Sequence, residues 1–189
     1  MLRVIAGQYR SRIVQAPRGM DTRPTSDRLR ETLFNVLAPR IADAVFLDLY
    51  AGSGAVGIEA LSRGAREAIF VEPAEAALRV IRSNLASLGI RGGYALEARN
   101  AAAALRSLAG RNRQADIVFL DPPWDADEQY AVTLGLLGGE CRGLPAAHAL
   151  VIAEHRKRQP LDERFGTLQR TRVLTQGDAA LSFYRVESE

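Results

Sequence analysis

Cysteine is nearly absent from this chain: Cys141 is the single one in 189 residues. It cannot close an internal disulfide, and one thiolate does not make a structural zinc cluster, so a disulfide-stapled scaffold is excluded and a reducing compartment is expected. Histidine is almost as scarce. His148 and His155 hold no metal-ligand spacing with each other or with Cys141, and both read as structural or surface residues. Long apolar runs are missing as well. Leu2 to Ala6 is far too short for a signal peptide, and no stretch approaches the roughly 20 apolar residues of a membrane span, so a soluble cytoplasmic protein is expected. At roughly 150 residues per domain, the length leaves room for one globular domain and at most a small appendage.

Lysine is represented by Lys157 alone among 25 basic residues, so the placement of the arginines says more than their identity. The net charge is +3, yet residues 1–40 hold eight arginines (Arg3, Arg10, Arg12, Arg18, Arg23, Arg28, Arg30 and Arg40) against three acids. The rest of the chain is therefore slightly acidic. A basic end on such a body is what contact with a phosphate backbone requires, although a merely solvated face has the same composition.

Leu2 to Ala6 and Arg12 to Gln15 flank a polar, glycine-containing turn and predict a small hairpin. From Thr25 to Ala38 the apolar residues Leu29, Leu33, Val36 and Leu37 recur at helical spacing, with Thr25 or Ser26 placed to cap and Pro39 to stop the helix. Beyond residue 43, strands and helices alternate. Strands are predicted over 44–49, 68–71, 94–98, 117–120 and 149–153, and helices over 54–63, 74–88, 101–109 and 128–137. Two final strands, 168–175 and 179–186, flank the tight turn Gln176-Gly177-Asp178. The fold class is α/β: a Rossmann-like, doubly wound, mostly parallel sheet with an antiparallel hairpin at its end, preceded by a small extension over residues 1–40.

The stretch from Phe46 to Gly57 carries a buried strand into a glycine turn and then a helix, which is where doubly wound folds bind ligands. Gly52, Gly54 and Gly57 satisfy the dinucleotide pattern G-x-G-x-x-G, but Asp48 sits four residues before Gly52 at the strand's end, where a carboxylate would repel a pyrophosphate. A cationic ligand fits better. S-adenosylmethionine, with an ammonium, a sulfonium and no phosphate, suits an acid at that edge. Glu72 ends the next strand, where it could accept both ribose hydroxyls, as an acid does in dinucleotide enzymes too. At the end of the third strand, the Asn100 side chain or the Ala101 backbone N–H could read the adenine edge, although Asn100 is equally a helix cap.

Asp121-Pro122-Pro123-Trp124 follows the fourth strand directly. The exocyclic amine of a nucleobase is a poor nucleophile because its lone pair is delocalised into the ring. Hydrogen bonds from that amine to the Asp121 carboxylate and the Pro122 carbonyl would favour a pyramidal nitrogen aimed at a methyl donor, with the prolines holding both acceptors rigid. Trp124 offers a stacking face for an extruded base.

On these residues the chain resembles the bacterial RsmD-type methyltransferases that modify guanine N2 in 16S ribosomal RNA. The resemblance rests on Arg3-Val4-Ile5-Ala6-Gly7, on the run Arg23-Pro24-Thr25-Ser26-Asp27-Arg28-Leu29-Arg30-Glu31, on Asp48 to Gly54, on Glu72 and on Asp121 to Trp124. Tyr50 stands where Phe is common, and Trp124 where Tyr or Phe is usual. The resemblance implies a seven-stranded class I methyltransferase domain over residues 41–189. It implies S-adenosylmethionine held by Asp48, Tyr50, Ala51, Gly52, Ser53, Gly54, Glu72, Asn100 and Ala101, with Asp121, Pro122, Pro123 and Trp124 catalytic. RNA contacts are implied for Arg3, Arg10, Arg12, Arg23, Thr25, Asp27, Arg28 and Arg30, against a helix-start ion-pair network as the bland reading of Arg23, Asp27, Arg28 and Arg30. The implied substrate is guanine 966 of 16S rRNA within an assembled or partly assembled small subunit, and the implied state is a monomer without a metal. An adenine-N6 DNA methyltransferase would use the same tetrad, although 189 residues leave no room for a target-recognition domain. A dinucleotide-dependent protein would use the glycine pattern alone.

Overall fold

The computed structural model describes residues 2–17, 27–123 and 126–187, which fall into two compact units, 1–99 and 100–189. The first unit opens with an antiparallel hairpin, β1 (Leu2–Arg3) and β2 (Ile13–Val14), with Leu2 opposite Val14. Backbone bonds from Val4 N–H to Arg12 and from Ser11 N–H to Val4, at 2.9 and 2.8 Å, extend the pairing toward the turn. Helix α1 (Asp27–Leu37) buries Leu29, Leu33 and Leu37 as the periodicity predicts. Val36 is only half-buried, and Phe34 takes the core place by stacking on Phe46 with ring centroids 6.0 Å apart.

The chain then alternates through β3 (Val45–Leu49), α2 (Ala55–Ser62), β4 (Glu67–Val71), α3 (Glu75–Ser87) and β5 (Tyr94–Glu97). These three strands are parallel in the order β5-β4-β3. Every residue of β3 is buried, as befits a parallel strand covered on both faces. Helix α3 turns Leu78, Ile81 and Leu85 inward and stops at Gly89, whose φ of +73° lets Ile90 N–H reach back to the Leu85 carbonyl at 2.9 Å.

The second unit contains α4 (Ala101–Gly110), β6 (Ala115–Leu120), α5 (Glu128–Gly138), β7 (Pro145–Arg156), β8 (Arg164–Phe165), β9 (Leu168–Gln176) and β10 (Ala179–Val186). Its strand order is β6-β7-β10-β9-β8, with β6 and β7 parallel and the remaining pairs antiparallel. Nine of the ten strands among the described residues are those the sequence predicts, and the two-residue β8 is additional. Strand β7 runs for 12 residues instead of the apolar core Ala149 to Ala153, because pairs such as Arg156 with Ala179 on β10 continue the ladder past the buried segment.

The hairpin is bound firmly to α2. Glu59 is fully buried, and its carboxylate accepts N–H bonds from Ile5 at 2.7 Å and Ala6 at 3.0 Å, plus one from the Arg63 guanidinium at 2.7 Å. One turn on, the Ser62 hydroxyl donates to the Ala6 carbonyl and accepts from Tyr9 N–H, while the Ser62 carbonyl accepts from Gln8 N–H. Gly7 passes so close that a Cβ there would lie 1.8 Å from the Ser62 carbonyl oxygen. Replacing Glu59 by Ala leaves two hairpin amides and the Arg63 guanidinium without their acceptor. The expected loss is about 3–5 kcal/mol of unfolding free energy in urea melts, with proteolytic release of the hairpin before global unfolding.

Candidate active site

The glycine loop leaves β3 through a run of left-handed backbone: Tyr50 has φ +64°, Gly52 +53° and Gly54 +77°. A left-handed tyrosine is uncommon, and such strain persists only where the surroundings over-determine it. Here buried carboxylates hold the loop. Glu72 accepts from Gly52 N–H through one oxygen and from Ala74 N–H through the other, both at 2.9 Å, so it braces the loop and serves the start of α3. Asp48 accepts from Gly57 N–H at 2.9 Å in the first turn of α2.

The carboxylate of Asp48 therefore lies beneath the loop and not open at its mouth, with only 2% of the residue exposed. Burial pushes its pKa up to about 7, the Gly57 bond opposes the shift, and the nearby Glu72 charge adds to it. Gly57 permits the packing above it: a Cβ there would fall 2.3 Å from the Phe70 ring, so α2 rests directly on β4. This is the close helix–strand approach for which the third glycine of the pattern is needed. On the loop's other side the Asn84 amide donates to the Ser53 carbonyl at 3.0 Å, and it exchanges bonds with both backbone groups of Gln15, each at 2.9 Å.

In the second unit, Asn100 caps α4, its side-chain oxygen accepting from Ala103 N–H at 2.8 Å. Asn100 thus fills the helix-cap role that its position also allowed. Asp121 leaves β6 half-buried, Pro122 is buried and Pro123 exposed, with the Pro123 carbonyl accepting from Ala126 N–H at 2.9 Å. Trp124, like Arg23 and Thr25 of the N-terminal set, lies outside the described residues.

The arginines divide. Arg3, Arg10 and Arg28 are exposed, while Arg12 is exposed but donates to the Ser87 carbonyl at 3.0 Å. Arg30 departs from its assignment as an RNA contact. It is 1% exposed, pairs with Asp27 at 2.9 Å and donates to the Arg3 carbonyl. Desolvation lowers its pKa, opposed by the charges of Glu59 and Asp27. Arg30 and Asp27 thus belong to a helix-start network that fastens the hairpin, because the apolar face of α1 carries Arg30 inward beside Leu29 and Leu33.

Comparison with known proteins places this geometry. The family described as Conserved hypothetical protein 95 matches residues 2–185. The chain belongs to this family, the RsmD family. It is 38% identical over 188 residues to Ribosomal RNA small subunit methyltransferase D of Escherichia coli strain K12, covering 100% of this chain and 91% of that protein. The solved structure of Escherichia coli yhhF superposes with a TM-score of 0.84 at 35% identity, over 100% of this chain and 99% of that one. A SAM-dependent methyltransferase from Agrobacterium tumefaciens shares the fold at 15% identity and a TM-score of 0.59, over 83% of this chain and 60% of that one. The fold is that of the class I methyltransferases.

Within this RsmD-family chain, sequence reasoning overlooked Glu59 and Asn84, both buried and both tying the hairpin side of the unit to its helices. Each left a signal: Glu59 interrupts the apolar run Ala55 to Leu61, and Asn84 sits on the buried stripe of α3 three residues after Ile81. The Asp48 carboxyl yields a further test. An unfolded aspartate ionises near 3.8 and the buried one near 7, so the native state keeps a proton the unfolded chain releases, and stability falls as pH rises through that window. Asp48→Asn keeps an acceptor for Gly57 and cannot ionise. Melts of the ligand-free protein from about pH 4 to 8 should shift in the variant's favour by a few kcal/mol relative to wild type. A pH-independent difference would contradict the raised pKa.

Proposed function

We propose that the chain transfers a methyl group from S-adenosylmethionine to the exocyclic N2 of one guanine in small-subunit ribosomal RNA, within an assembled or partly assembled subunit. The observation carrying this reading is the pair of carboxylates, Asp48 and Glu72, buried beneath the glycine loop. The Glu72 charge beside the loop opposes a pyrophosphate, and a ligand bearing an ammonium and a sulfonium would favour ionisation of Asp48, whose pKa burial raises to about 7. The full-length likeness to the Escherichia coli rRNA methyltransferase supports the RNA substrate over DNA adenine.

The donor set fits the cofactor. Gly52, Ser53 and Gly54, with Tyr50 and Ala51, form its backbone cradle. Glu72 bonds one amide through each oxygen, which leaves lone pairs for ribose hydroxyls, since an ionised carboxylate offers about four acceptor sites. Asn100 and Ala101 are assigned to the adenine. When bound, S-adenosylmethionine supplies an electrophilic methyl on a positively charged sulfur.

The acceptor end is assigned to Asp121, Pro122 and Pro123, with Trp124 as stacking face. Asp121 and the Pro122 carbonyl accept the two N–H bonds of the guanine amine and turn its lone pair toward the methyl carbon. The methylated amine would carry an extra proton that it sheds afterward. Asp121 therefore needs to be an acceptor more than a strong base. The base must leave its stack to reach these groups, which the proline-rigid turn helps offset by requiring no rearrangement. Residues 1–40 are assigned to holding RNA, with Arg3, Arg10, Arg12 and Arg28 on phosphates.

Isothermal titration should give tight binding of S-adenosylhomocysteine and no response to NAD; the reverse pattern rejects the reading. Asp121→Ala should abolish methyl transfer while leaving S-adenosylhomocysteine affinity within a few fold. Mass spectrometry of rRNA from a strain lacking the protein should miss one N2-methylguanine.

A further inference from the structure

The exit of β7 carries the run Arg156-Lys157-Arg158, which includes the chain's only lysine, outside the basic N-terminal segment. All three residues are exposed. Strands β6 and β7 are parallel, with Leu120 level with Ala153, so the turn after β7 emerges on the same edge as the Asp121-Pro122-Pro123 turn after β6. The two turns are joined: the Gln159 amide donates to the Asp127 carboxylate at 2.6 Å, and Asp127 follows directly after Ala126, whose N–H caps Pro123. The Tyr130 hydroxyl ties α5 to the Glu154 carbonyl at 2.8 Å.

The backbone of this cationic turn is fixed from within. Gln159 N–H donates to the Arg156 carbonyl at 3.0 Å, and Lys157 N–H to the Asp178 carbonyl at 2.8 Å. His155 lies buried under the turn, with Nδ1 at 2.9 Å from the Arg156 carbonyl and 3.0 Å from that of Gln159. Both partners are acceptors only, so Nδ1 carries the proton, and Nε2 accepts from the Ser182 hydroxyl at 2.8 Å. The imidazole works as a neutral brace, consistent with burial lowering its pKa. The Lys157 and Arg158 side chains make no hydrogen bond or ion pair among the described residues, whereas the neighbouring acid Asp127 is occupied by Gln159 and Glu163 by Arg170. Asp178 also lies beside the turn, its carbonyl meeting Lys157 N–H.

We propose that the turn Arg156–Gln159 is a second nucleic-acid contact, in which Lys157 and Arg158 take backbone phosphates flanking the guanine presented to Asp121 and Pro122. Two cations held on a braced turn, hydrogen-bonded to the segment that follows the prolines, would set the strand's position there. This inference rests on the rRNA reading above.

The test is binding of small ribosomal subunits from a strain lacking the protein, measured across a potassium chloride series for wild type and Lys157→Gln/Arg158→Gln. The slope of log Kd against log salt should fall by about 0.7–0.9 for each phosphate no longer neutralised, or about 1.4–1.8 for the pair. S-adenosylhomocysteine affinity should stay at the wild-type level, and Lys157→Arg/Arg158→Lys should keep the wild-type slope. A double Gln variant with the wild-type slope overturns the proposal while methyl transfer by the wild type upholds the rRNA reading. A wild type that neither binds nor methylates the subunits overturns both.

Discussion

Carboxylate oxygens bonded to backbone amides hold the first unit in shape. Asp48, Glu59 and Glu72 are all buried, and each accepts at least one main-chain N–H. Burying a carboxyl is costly unless it is hydrogen-bonded, and where it is ionised the bond is charge-assisted and among the stronger ones a fold can make. Because the donors are backbone groups, these acids constrain the path of the chain directly. They keep the glycine loop in its left-handed conformation before any ligand arrives.

Helix α2 connects the two ends of this arrangement. Its first turn meets Asp48 through Gly57, and its last turn meets the hairpin through Glu59 and Ser62. The helix is only eight residues long and nearly all of it is buried. A short, rigid element thus links the proposed cofactor cradle to the segment assigned to RNA. Asn84 makes a parallel link from α3, bonding Ser53 on one side and Gln15 on the other. The second unit solves a different problem: β7 is parallel to β6 and antiparallel to β10, so one strand serves both the turn of the Asp-Pro-Pro segment and the terminal meander.

Where periodicity was strong, the fold was legible in the sequence. The stripe Leu78, Ile81, Leu85 of α3 and the apolar β3 read directly into the elements observed, because burial and hydrogen bonding follow the same repeat. The glycine pattern marked the turn between β3 and α2, and Asp48 and Glu72 the strand ends beside it. Their orientation was not legible: whether Asp48 faces outward or lies under the loop depends on the Gly57 amide, which is set by the packing of α2 on Phe70. Arg30 was misplaced for a related reason. An arginine in a basic segment looks solvent-facing until the helix phase is known, and here that phase points it at the Arg3 carbonyl and Asp27. Strand β8 had no signal, since two residues carry no period.

The docking of the hairpin by its peptide groups has a consequence for variation. Ile5 and Ala6 offer Glu59 only main-chain hydrogens, and Gln8 and Tyr9 offer Ser62 the same, so these attachments are indifferent to the identity of the hairpin's side chains. Gly7 is held to type by crowding at that joint, and Leu2, Val4 and Val14 by burial in the core. The outward-facing positions can therefore be rewritten to suit a different target without unfastening the element that displays them.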